Sequence, residues 1–126
     1  MALFETIHHT AKFCAATAEE PGWIADKREL IGRIDAELLD IRTGFDELLD
    51  PDDYTASQAF ARQMRPKSNG ILYPSVRHDN GLCFAAFWPD VMEVPVQGRH
   101  ITYHWNGQRV DMIKDHDAGQ VFEVII

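Results

Sequence analysis

Apolar residues near the start of the chain recur at Leu3, Ile7, Ala11 and Cys14, with Phe4 and Ala15 widening the stripe. Spacings of four, four and three put them on one face of an amphipathic helix. The stripe fades near Thr17, and Pro21-Gly22 breaks the chain. Because the pattern opens at Ala2 with no strand, cap or turn ahead of it, sequence missing upstream is expected. Over residues 30–41 two periods coexist. Leu30, Ile34 and Leu38 fit a helix, yet Leu30, Gly32, Ile34, Ala36 and Leu38 also share one side of a strand opposite Arg33, Asp35 and Glu37. Periodicity alone leaves both open. A helix over 54–64 is predicted, with Asp53 as its N-cap, Ala56, Ala59, Phe60 and Met64 as its core face, and Pro66 as its stop.

After Asn69-Gly70 the pattern changes to strands. Residues 71–73 form a short one ending at Pro74, and 82–88 is a continuous apolar run expected to be buried on both faces. Ile101, Tyr103 and Trp105 alternate with His100, Thr102 and His104, and Asn106-Gly107 signals a type I′ hairpin leading to Val110 and Met112. Asp115 to Gly119 makes another turn before a strand over 121–126, so the tail is predicted to be a three-stranded antiparallel meander. Helices in front and strands behind indicate an α+β fold with a mixed, mainly antiparallel sheet flanked by two or three helices.

At 126 residues and 45% hydrophobic content, a single domain over 1–126 is the natural expectation. Such a domain buries roughly two thirds of its unfolded surface and needs no metal or disulfide to fold. Cys14 and Cys83 lack Cys-x-x-Cys spacing and fit buried packing positions in a reducing compartment. No apolar run reaches a membrane span of about 18 residues and no signal-peptide pattern opens the chain, so a cytoplasmic protein is expected. The net charge of -8 lies wholly in the front: residues 1–53 hold thirteen acids and five bases, residues 54–126 seven of each. Overall acidity argues against direct nucleic-acid binding. Arg62, Arg65, Lys67 and Arg77 precede any acid in the second half, which is either a solvated helix face and turn or local attraction for a nucleotide pyrophosphate.

Six histidines raise a metal reading. His8 and His9 point about 100° apart on a helix, and His100 and His104 share a strand face two pleats apart, so neither pair has ligand spacing. Asp115-His116-Asp117 fits a polar turn, and no metal is expected. Ser75 has no nucleophile elbow, and Cys14 has no adjacent base. What stands out is Tyr73-Pro74-Ser75-Val76-Arg77 at the end of a short strand, where a rigid sheet can fix binding residues. A plain exposed strand end explains it equally well.

The run Tyr54-Thr55-Ala56-Ser57-Gln58-Ala59-Phe60-Ala61, then Asn69-Gly70-Ile71-Leu72-Tyr73-Pro74-Ser75-Val76-Arg77, then Gly81-Leu82-Cys83-Phe84-Ala85-Ala86-Phe87-Trp88-Pro89 resembles the second half of the RES domain. Tyr103-His104-Trp105-Asn106-Gly107 looks like the hairpin that follows. Ala2-Leu3-Phe4-Glu5-Thr6-Ile7-His8-His9 with Phe13 looks like the family helix, and Leu38-Leu39-Asp40-Ile41 like its next strand, which makes the ambiguous segment β. The resemblance implies a fold similar to ADP-ribosyltransferases and kinship with bacterial toxins of RES–Xre toxin–antitoxin modules, which deplete NAD by cleaving its nicotinamide glycosidic bond. It implies Glu5 and Ser75 as catalytic positions, Tyr73 and Arg77 as substrate-binding ones, NAD as substrate with no cofactor, and an Xre-type antitoxin as partner. Family members carry an arginine and tyrosines ahead of this helix. With nothing here to match them, the expectation is a domain lacking its front segment, inactive or impaired toward NAD, with an uncovered edge that favours homo-oligomers. The rival expectation is a non-catalytic interaction module that binds an antitoxin-like partner or itself. A metal-dependent hydrolase is a third, remote reading.

Overall fold

The computed structural model describes residues 2–125. In chain order the elements are α1 (Ala2–Ala16), β1 (Gly22–Ile31), β2 (Leu39–Asp40), α2 (Thr55–Met64), β3 (Gly70–Pro74), β4 (Leu82–Ala86), β5 (Val96–Trp105), β6 (Val110–Asp115) and β7 (Gln120–Glu123). Single 3-10 turns lie at Asp46–Leu48 and Pro89–Val91. The fold is α+β, with two α-helices, an antiparallel sheet of order β1-β5-β6-β7 and a mixed sheet of order β2-β3-β4. Two compact units result: a central one over 32–94, and a terminal one from Leu3–Ile31 and the residues from Pro95 onward.

In the terminal unit the predicted meander forms as β5, β6 and β7. The sheet continues on the other side of β5 with β1, which pairs from Gly22↔Trp105 to Ile31↔Val96. Nothing in the apolar pattern announced β1. Its residues Asp26, Lys27, Arg28 and Glu29 are charged, and it is an edge strand held by backbone pairing rather than by an apolar stripe. The α1 stripe behaves as its spacing predicts: Ile7 and Cys14 are buried, and Leu3 and Ala11 pack beside them against Ile101, Tyr103, Trp105, Val110, Ile113 and Val124. Alternation along β5 is strict there, so His100, Thr102 and His104 face the other side of the sheet. Trp105 is buried, and its indole N–H donates to the Glu19 carbonyl at 3.1 Å, tying the end of α1 to the sheet.

The Asn106-Gly107 signal marks the right place but not the right turn. A four-residue loop joins β5 to β6, with Gly107 at φ +97° and the Asn106 side-chain oxygen accepting from the Gln108 and Arg109 amides at 2.8 and 2.9 Å. A type I′ turn would need two positive φ values, and the Asn106 side-chain cap replaces that geometry.

Residues 30–41 resolve into β pieces: the end of β1 in the terminal unit and, in the central unit, an isolated bridge from Ile34 to Met92 and β2, which runs parallel to β3. The helix over 54–64 is α2, but its inner face differs from the expected one. Ala56 and Ala59 are exposed, while Ser57, Phe60, Ala61 and Met64 are half-buried, and Phe60 meets Phe45 at 5.8 Å between ring centroids. Asp53 accepts the Thr55 amide at 2.9 Å, but Tyr54, one residue later, holds the N-cap position. The run over 82–88 is not buried on both faces. Strand β4 ends at Ala86, and on it Leu82 and Phe84 are exposed on one face while Cys83 is half-buried on the other.

Candidate functional site

Glu5 lies in the first turn of α1, in the terminal unit. It lines a cleft of about 660 Å³ between one face of α1, contributing Thr6, His9, Thr10 and Phe13, and the strand residues Ile24 and Ala25. This volume suits part or all of a nucleotide-sized ligand. The helix is pinned where Glu5 sits. Thr6 Oγ1 donates to the Leu3 carbonyl at 3.0 Å and stands 2.7 Å from the Tyr103 hydroxyl. With the threonine proton committed to Leu3, the tyrosine is the donor in the second bond. Burial pushes the Tyr103 hydroxyl pKa up. Periodicity marked Tyr103 only as a core position. Its hydrogen bond to the neighbour of Glu5 joins two segments far apart in sequence and could not be seen there.

Tyr73, Ser75 and Arg77 lie together in the central unit, at the end of β3 and in the loop that follows it. The loop closes where the Ser75 amide donates to the Gly81 carbonyl at 2.9 Å, and it turns with the Gly81 amide on the His78 carbonyl at 3.0 Å and Asn80 at φ +60°. Ser75 Oγ accepts the Arg77 amide at 3.2 Å, a local hydroxyl-to-backbone turn that shapes the strand end. Arg77 reaches away from the loop: its Nη2 donates to the Pro51 carbonyl at 3.0 Å and to the Tyr54 hydroxyl at 3.2 Å. The guanidinium thereby braces the segment ahead of α2. Tyr54, flagged only as part of a longer run, is the residue that holds it.

The basic stretch has no common target among these contacts. Arg65 stacks over Trp88, 4.9 Å from the ring centre, while Arg77 is engaged on Pro51 and Tyr54. Both contacts fix local structure. Cys14 is buried against the sheet and desolvation raises its thiol pKa, which fits packing rather than nucleophilic attack. No helix among the described residues is long and apolar enough to cross a membrane.

A strand end rebuilt by Ser75 and a helix carboxylate facing a cleft are the two features that the sequence resemblance had singled out. No curated protein and no solved structure matches the chain. A family model described as the RES domain matches residues 1–106, from α1 through β5. The chain therefore belongs to the RES domain family.

Proposed function

We propose that this chain is directed at NAD, and that Glu5 of the terminal unit and Ser75 of the central unit each serve cleavage of the bond between nicotinamide and ribose. In that reaction the C1′–N bond breaks with its electron pair leaving on nicotinamide. A C1′–O bond forms to water or phosphate, and the acceptor's proton passes to solvent. Positive charge builds on the ribose, and a carboxylate beside it lowers the barrier or orients the ribose hydroxyls. Glu5 has that chemistry, and the observation that carries the proposal is its place on the wall of the α1 cleft, on a turn fixed by the Thr6–Tyr103 bond. Ser75, through its hydroxyl, positions the nicotinamide amide or a phosphate. Tyr73 flanks it, and Arg77 acts by holding the loop on Pro51 and Tyr54. Membership in the family supports a toxin–antitoxin setting with an Xre-type antitoxin as partner.

The test is nicotinamide release from NAD, followed chromatographically, for the chain and for Glu5→Gln and Ser75→Ala. Loss of a group that stabilises developing charge lowers turnover by about 10² to 10³. Unchanged turnover in both variants would sink the assignment. Absence of both NAD binding and nicotinamide release would favour the second reading, a non-catalytic interaction module. That alternative is favoured by β7, an edge strand whose Val121 and Phe122 are 54% and 48% exposed, a surface suited to a second chain. Sedimentation of the wild-type chain beside a Val121→Lys variant tests it directly.

A further inference from the structure

On the face of the four-stranded sheet opposite α1, two strands and a turn bring together side chains that lie far apart in the sequence. Asp26 comes from the edge strand β1, His100 from β5, and His116 from the turn after β6. One donor atom from each lies within 4.8 Å of the others. His100 Nε2 stands 3.5 Å from Asp26 Oδ1. Donors around a tetrahedral ion at about 2.0–2.1 Å are separated by about 3.3 Å, so this edge of the polyhedron is nearly formed.

The two imidazoles are held by more than chance proximity. Their rings stack with centroids 4.2 Å apart and planes within 16°, so one ring must turn about its side-chain torsions before both nitrogens can face one ion. The His116 amide donates to the His100 carbonyl at 3.0 Å, and the His100 amide donates to Asp117 Oδ2 at 3.1 Å. Beneath them sits Thr102, only 6% exposed, whose hydroxyl donates to Asp26 Oδ1 at 2.6 Å and lies 2.6 Å from His116 Nε2. A buried hydroxyl orienting a carboxylate beside two histidines is the kind of outer support that metal ligands have. Asp26 is held below the ordinary carboxylate range, first by the Thr102 bond and also by His100 and His116.

We propose that Asp26, His100 and His116 bind one divalent transition-metal ion of the zinc class and thereby staple β1 to β5 and to the β6–β7 turn. His116 Nε2 exchanges its contact with Thr102 for the ion, while Thr102 continues to orient Asp26. Water completes the four positions. The donor set selects the metal. One carboxylate and two imidazoles cannot satisfy the six to eight oxygen ligands that calcium takes, or magnesium's octahedron of oxygens, whereas imidazole suits zinc, copper and nickel. Arg28, paired with His100, and Lys114, paired with Thr102, add positive charge to the same face and oppose any cation there, so binding must rest on the donor atoms.

The experiment titrates zinc chloride into the metal-stripped chain by calorimetry in a non-chelating buffer. Wild type should bind one ion per chain. Asp26→Asn and His116→Gln should each weaken that binding at least tenfold, and His8→Ala should leave it unchanged. Thermal unfolding should show zinc raising the midpoint of wild type but of neither ligand variant. Both substituted side chains are exposed, so the variants should keep the far-ultraviolet circular dichroism of wild type. Cobalt provides an arm that needs no variant, since wild type should give the intense visible bands of a four-coordinate site. No saturable zinc binding, wild-type affinity in either ligand variant, or a purely octahedral cobalt spectrum would each overturn the proposal.

Discussion

Tyr103→Phe isolates one hydroxyl at the point where α1 is tied to the sheet. Tyr103 is 1% exposed and its O–H donates to Thr6 Oγ1 at 2.7 Å. The phenylalanine ring fills the same space, so the 3–5 kcal/mol typical of opening a large aromatic cavity does not arise, and the loss is roughly 1 kcal/mol for one net hydrogen bond. Thr6 keeps its bond to Leu3 and lies at the surface, where water can take the vacated lone pair. The reverse change is different in kind. Thr6→Ala strands a buried phenol donor, which costs about 1–3 kcal/mol, partly offset by about 0.5 kcal/mol of better helix propensity. The double variant avoids the stranded donor, so a cycle of the two changes should show a coupling near 1 kcal/mol. Urea unfolding followed by tryptophan fluorescence measures all four proteins, and Tyr103→Phe should lower the thermal midpoint by roughly 4 °C. There is also a pH signature. Because burial raises the folded pKa of Tyr103 above the ordinary 10.0, its contribution is fully present below about pH 10 and is lost as pH rises through the folded value. Tyr103→Phe should therefore flatten the alkaline fall in stability. A coupling below about 0.3 kcal/mol together with an unchanged alkaline limb would refute the reasoning.

Asp40 is held at about 2 from 3.8 by its bonds to Arg42, with Arg42 Nη2 on Asp40 Oδ2 at 2.7 Å. The pairing is present above pH 3.8 and is lost as pH falls through about 2. Carboxyl NMR titration should find that low value in wild type and a return toward the ordinary range in Arg42→Ala. At Gly70 a Cβ would collide with the Ala85 carbonyl of the adjoining strand, so Gly70→Ala should force β3 and β4 apart and cost at least about 2 kcal/mol by urea denaturation. A neutral Gly70→Ala would show that the strands have room to shift.

The family resemblance, the α1 stripe, the place of α2 and the three-stranded meander were all legible along the chain, because each rests on short-range periodicity or on a run of residues in fixed order. Where burial depends on a neighbour, legibility failed. The apolar run over 82–88 reads as a doubly buried strand, but one face of β4 is left uncovered, and its Leu82 and Phe84 are exposed. Strand β1 left no apolar signature because backbone pairing to β5 defines it. Glu5, Tyr73, Ser75 and Arg77 were singled out by the family resemblance. That Arg77 braces Pro51 and Tyr54, and that the turn beside Glu5 is fastened by Tyr103, are facts of folding. The same holds for Asp26, His100 and His116, about ninety residues from first to last. Spacing along the chain found no ligand set among the histidines. Antiparallel register brought two of them to one carboxylate across neighbouring strands, and register is set by long-range pairing that no local pattern encodes.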